Sequence, residues 1–268
     1  MLLRGAAARC IAVLLLVLPA VFAGPVSASA HEQLDSAADA VAIDPAPASD
    51  LASATSEPFG LFGLDVVPVT GGELLTKWSG VTAELRTESD VLARCGDGGT
   101  SCPAAAQKFL DVVAQGRMQE GRARVGVVNR AINLAVRPTS DLAQWGVADR
   151  WSAPLATLTS GRGDCEDYAI AKYAALIAAG FAEADVRLVI VRDTAIGEDH
   201  AIVAARLDGS WIVLDNRRLA LVADAEMQHV VPLFVLDHDG VKQFTPPLVA
   251  GTPAAAPVTP AAPAALGF

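Results

Sequence analysis

The chain has 268 residues, 52% hydrophobic and 19% charged, which is enough apolar material for one domain with a real core. Its 30 acidic residues outnumber the 20 basic ones and leave a formal net charge of -10. That balance argues against a nucleic-acid partner, and it assigns no cation site, because dispersed acidity serves solubility unless it is gathered locally.

Residues 1–30 place Arg4 and Arg9 ahead of the apolar run from Ile11 to Leu18 and close with Ala28-Ser29-Ala30, the order of a secretory signal, with cleavage expected after Ala30. The run is too short for a bilayer, which needs roughly twenty apolar residues. Its removal takes away two basic residues and no acid, moving the formal charge from -10 to -12. The protein is expected in the periplasm or outside the cell, with no membrane insertion once the signal is gone. Residues 31–58 and 247–268 are dominated by small residues and proline and read as disordered linkers, leaving 59–246 as the domain.

Within the domain, Trp78 to Arg94 and Ala104 to Ala114 carry helical spacing, the second with Ala106, Phe109, Leu110 and Val113 on one stripe. Cys95 and Cys102 flank a glycine-rich loop that can bring them within bridging distance. The spacing predicts a disulfide contributing on the order of 2.5 kcal/mol, the alternative being two free thiols beside a flexible loop. Arg122 to Val136 is a third helix, stopped by Pro138. Trp145 and Trp151 follow in a loop or short helix and read as core or cleft wall, with core favoured.

A helix is predicted from Cys165 to about Ala179, ended by Gly180, with Asp164 as N-cap and Asp167 completing a capping-box-like pair. Cys10 leaves with the signal, so Cys165 is the unpaired thiol. Strands are predicted over Val186–Arg192, Ala201–Leu207 and Ser210–Asp215, the last two joined by the hairpin dipeptide Asp208-Gly209, and a further pair over Val230–Leu236 and Val241–Phe244. Helices followed by a mainly antiparallel sheet make an α+β fold.

If Asp208-Gly209 is a two-residue tip, Ile202 faces Asp215, and His200 shares a sheet face with Asp215 as its diagonal neighbour, roughly 7 to 8 Å away between Cα atoms. A three-residue loop with a bulge would put them on opposite faces. Cys165, His200 and Asp215 thus follow the order of a thiol hydrolase. The helix start and His200 favour thiolate, whereas Glu166 and Asp167 oppose it. Either these acids only cap the helix and meet solvent, or some of their charge is cancelled by a cation, for which calcium is the natural candidate. His229 and His238 lie outside the arrangement and read as non-catalytic.

The segments Val128-Asn129-Arg130-Ala131-Ile132-Asn133, Trp145 to Pro154, Gly163-Asp164-Cys165-Glu166-Asp167-Tyr168-Ala169, Asp199-His200-Ala201 and Leu214-Asp215-Asn216 together resemble the bacterial transglutaminase-like cysteine proteinases, over approximately Trp78 to Pro232. The resemblance implies a papain-like or transglutaminase-like fold with Cys165 as nucleophile, His200 as base and Asp215 as orienting acid. It implies calcium dependence, with Asp164 and Glu166, and less directly Asp167, as ligands. The best-known member of the family cuts a surface adhesin and is held by the periplasmic domain of an inner-membrane cyclic-di-GMP receptor, which makes an adhesin or another exported protein the candidate substrate and such a receptor the candidate partner. An exported, calcium-dependent cysteine endopeptidase is the function expected. The alternatives are transglutaminase-type acyl transfer to an amine and a calcium-binding interaction module without activity.

Overall fold

The computed structural model describes residues 60–96 and 102–246. The expected signal, the linker at 31–58 and the tail at 247–268 lie outside the described residues. In chain order the elements are β1 (Val66–Pro68), α1 (Glu73–Gly96), α2 (Ala104–Arg117), α3 (Gly121–Ala135), β2 (Arg137–Pro138), α4 (Asp141–Trp145), α5 (Pro154–Ser160), β3 (Arg162–Gly163) and α6 (Cys165–Ala178). Then come β4 (Val186–Asp193), β5 (Glu198–Leu207), β6 (Ser210–Asp215), β7 (Arg218–Ala223), β8 (Val230–Asp237) and β9 (Gly240–Phe244). The first helix starts at Glu73 rather than Trp78, because Leu74 and Leu75 extend its apolar side onto the core.

Seven strands form one antiparallel sheet in the order β1-β9-β8-β4-β5-β6-β7. The central strand β4 shows why. Val186, Leu188 and Ile190 point into the core beneath the helices, while Val189 and Val191 join Ile202, Ala204, Val213 and Val235 on the other face. Period-two alternation buries both faces, so the strand reads as nearly continuous apolar sequence. Helix α6 lies against β4 and β5 and is buried along most of its length, as its run of Ala, Ile and Leu requires.

Cys95 and Cys102 form a disulfide with their Cα atoms 5.1 Å apart, joining the end of α1 to the start of α2. Helix α1 is anchored further by Trp78, whose Nε1 donates to the Asp237 carbonyl at 2.9 Å and whose ring meets Tyr173 edge-on. Proline at the first position opens α5, and the Leu155 N–H in its first turn donates to the Glu88 carboxylate at 3.0 and 3.1 Å.

Two further readings of the fold need correction. Trp145 is not core: it is 38% exposed, with the Arg150 guanidinium 4.3 Å from its ring centroid. The short helix α4 ends directly after it at Gly146, so the ring has no second layer to enter. Strand β7, absent from the prediction, has exposed Arg218, Leu219 and Ala220 followed by half-buried residues, and so carries no alternation to read.

Candidate active site

The site is assembled from the N-terminus of α6, the hairpin β5–β6 and the segment that joins α4 to α5. Leu207 pairs with Ser210 across Asp208 and Gly209, whose φ values of +50° and +81° are those of a two-residue hairpin turn. Val203 is then opposite Leu214, which sets the parity expected for His200 and Asp215. Both are buried, and His200 Nε2 stands 2.9 Å from Asp215 Oδ1. The other ring nitrogen, Nδ1, is buried and has no partner among the described residues.

Asp215 is held from several sides. Its Oδ1 also accepts the Arg217 N–H at 2.9 Å, and its Oδ2 lies 3.2 Å from Arg218 Nε. Burial pushes its carboxyl upward, but His200, the Arg217 amide and Arg218 outweigh it and hold the group below the usual carboxylate range. Lys172, buried on α6, is brought down to about 7 by burial against the pull of Asp215. Its ammonium lies 5.7 Å from the Tyr168 ring centroid.

Cys165 is the first residue of α6 and is half-buried. Its Sγ donates to Glu166 Oε2 at 3.0 Å. Burial first, and then the Glu166 charge and hydrogen bond, raise the thiol pKa, while the Ala201 backbone N–H acts the other way. Because Ala201 directly follows His200 on β5, that amide brings the strand start up to the sulfur.

Asp164 occupies the N-cap position, yet its side chain makes no capping hydrogen bond. Asp167 does not complete a box either: its Oδ1 accepts the Ser152 N–H at 2.9 Å. Both carboxylates turn instead toward Asp141 on α4, which the sequence reading did not single out. Ligand oxygens of Asp141, Asp164 and Asp167 all lie within 4.8 Å of one another. In each residue one buried oxygen, Asp141 Oδ1, Asp164 Oδ1 and Asp167 Oδ2, has no partner among the described residues.

Burial first, then the charge and hydrogen bond of Glu166, and then Asp167 and Asp141, push Asp164 up to about 8. Burial with the charges of Asp141 and Glu166 pushes Asp167 up to about 7, and burial with Glu166 and Asp149 raises Asp141. Three converging carboxylates, each with a bare oxygen, fit a hard divalent cation such as calcium. Glu166, expected with Asp164 and Asp167, is not one of these three; its carboxylate stands between the thiol, which it holds through Oε2, and the Asp164 carboxyl.

Two local features bring the acids together. The parallel pairing of Arg137 with Arg162 and of Pro138 with Gly163 sets the chain leading to Asp141 beside the chain leading to Asp164. Gly163 is required there, because a Cβ on it would lie 2.6 Å from both Asp167 Cβ and Asp167 Oδ2.

Residues 92–230 match the family described as bacterial transglutaminase-like cysteine proteinase BTLCP. The chain belongs to that family. It is therefore a cysteine peptidase, and its substrate is a protein. Among solved structures, LapG of Legionella pneumophila is 17% identical, covers 58% of this chain and 86% of its own, and gives a TM-score of 0.48. An EGTA-treated form gives 17%, 58%, 84% and 0.48. The calcium-bound form gives 15%, 62%, 87% and 0.47. No curated protein gives a significant match. Among the described residues of this proteinase, no helix is long and apolar enough to cross a membrane.

Proposed function

We propose that the proteinase is an exported, calcium-dependent endopeptidase with Cys165 as nucleophile, His200 as general base and Asp215 as orienting acid. The observation that carries this reading is the 2.9 Å contact of His200 Nε2 with Asp215, which leaves the buried Nδ1 as the ring nitrogen free for the thiol. The thiol proton passes to His200 Nδ1 and the sulfur attacks the peptide carbonyl carbon. The C–N bond then breaks as Nδ1 gives its proton to the leaving amine. Water attacks the resulting thioester, releasing the acid and restoring the thiol. The Cys165 backbone N–H, free of the helix ladder in the first turn, serves as an oxyanion donor.

Asp141, Asp164 and Asp167 are the residues that would hold calcium. The bound ion supplies positive charge that offsets the carboxylate field beside Cys165 and so favours thiolate. Glu166 belongs to the ligand set implied by the family resemblance, and its carboxylate already lies against that of Asp164.

Export is supported by the signal-like residues 1–30 and by a disulfide suited to an oxidising compartment. By the same resemblance, the first candidate substrate is a cell-surface adhesin, and the first candidate regulator is the periplasmic domain of a cyclic-di-GMP receptor. The test is to incubate the protein and its Cys165→Ala variant with exported proteins of the source cell, in calcium or in EGTA, and to map new termini by mass spectrometry. New termini that need both calcium and Cys165 support the proposal. None in calcium, from a folded sample, would overturn it, and incorporation of a primary amine without hydrolysis would reassign the protein to acyl transfer.

A further inference from the structure

The segment Val128–Asn133 has no task in the chemistry above, yet it presents two side-chain amides to the turn that carries Asp215. Asn129 and Asn133 are four residues apart on α3 and share one helix face. Asn133 Nδ2 donates to the Asp215 carbonyl at 2.9 Å and to the Arg218 carbonyl at 3.3 Å. Asn129, fully buried, donates to the carbonyls of Arg218 and Leu219, both at 3.3 Å. Neither Oδ1 has a partner among the described residues, so both amides serve as donors.

The demand for donors comes from the sheet. The β6–β7 ladder shifts register between Val213 and the Asp215–Arg218 pair, and buried carbonyls beside an irregular ladder call for side-chain donors. The groups that hold the Asp215 carboxylate, the Arg217 amide and Arg218 Nε, belong to the same turn and move with it. Arg217 also reaches Asp193 at 2.9 Å, but this ion pair is partly exposed and screened. The two asparagines therefore tie the turn to the helical layer.

We infer that Asn133, with Asn129 behind it, is a positioning residue that fixes the Asp215 backbone and so sets the carboxylate against His200. The inference rests on the Cys165–His200–Asp215 reading. Asn133 touches neither the imidazole nor the thiol. It acts through Asp215, and its effect disappears when Asp215 no longer orients the ring.

The test is the rate at which iodoacetamide alkylates Cys165, at one pH and with calcium supplied, in the exported protein and its Asn133→Leu, Asp215→Asn and doubly substituted forms. Circular dichroism reports the fold of each. Asn133→Leu is expected to slow alkylation about tenfold, Asp215→Asn at least as much, and the double variant no more than Asp215→Asn alone. Asn133→Asp, of the same shape but without the donor, gives the same loss and replaces the leucine variant if that fails to fold. Wild-type rates in a folded Asn133 variant would overturn the inference. So would an undiminished loss on top of Asp215→Asn, since that is the signature of packing alone. A wild-type rate in Asp215→Asn itself would strike the triad, and the inference with it.

Discussion

His200 Nε2 and Asp215 Oδ1 meet at 2.9 Å across a hairpin, fifteen residues apart in sequence. The carboxylate holds the imidazole in the tautomer whose Nδ1 can accept a proton. In Asp215→Asn the shape is kept, but the amide can present its own N–H to the ring and select the other tautomer. Hydrolysis is expected to fall by on the order of a thousandfold in a variant that melts like the wild type. Full hydrolysis by folded Asp215→Asn would remove this residue from the mechanism.

The thiol of Cys165 is donated to Glu166, an arrangement that retains the proton. Glu166→Gln removes the charge that disfavours thiolate. In EGTA, iodoacetamide should therefore alkylate Glu166→Gln about tenfold faster than the wild type. Equal or slower alkylation would show that Glu166 does not restrain the sulfur.

The hairpin was legible because one dipeptide, Asp208-Gly209, sets loop length and hence parity, and parity alone places His200 and Asp215 on one face. The helix starting at Cys165 was legible from its apolar run and its flanking glycines. Asp141 was not, because a two-residue parallel ladder joins its segment to that of Asp164, and two residues carry no pattern. The capping roles given to Asp164 and Asp167 assumed that nearby polar groups satisfy one another locally. Burial beside Asp141 turned both elsewhere. The Asn129–Asn133 motif could be noticed in the sequence, but its partners are carbonyls across the fold that sequence does not reveal.

Calcium binding should appear as linkage. At a calcium concentration one hundredfold above its dissociation constant, the wild type is expected to gain about 2.7 kcal/mol over the EGTA-treated protein. Asp141→Asn, which leaves Asp164, Glu166 and Asp167 intact, should lose most of that gain. Thermal melts with and without calcium measure it, and an unchanged increment would exclude Asp141 from the ion's shell.

Glu88 gives a pH dependence remote from the catalytic chemistry. Burial pushes its carboxyl up to about 7 from 4.5, against the opposing Leu155 amide. The folded protein thus holds this proton more tightly than the unfolded chain. Its contribution is fully present below about 4.5 and is lost as pH rises through 7. Glu88→Gln keeps an oxygen for the Leu155 N–H and cannot ionise. It should match the wild type at pH 4.5 and be about 1–2 kcal/mol more stable at pH 8. Denaturant titrations at both pH values test this, and a stability difference independent of pH would refute it.

The 2.6 Å approach of Asp167 to the missing side chain of residue 163 gives a glycine control over a cluster of carboxylates to which it contributes no atom. A single methyl there would drive the Asp167 carboxylate out of register with Asp141 and Asp164. On the calcium reading proposed above, Gly163→Ala would be a metal-site mutation that changes no donor atom, and in an adapting protein this position would be a means of weakening calcium affinity while every proposed ligand stays in the sequence.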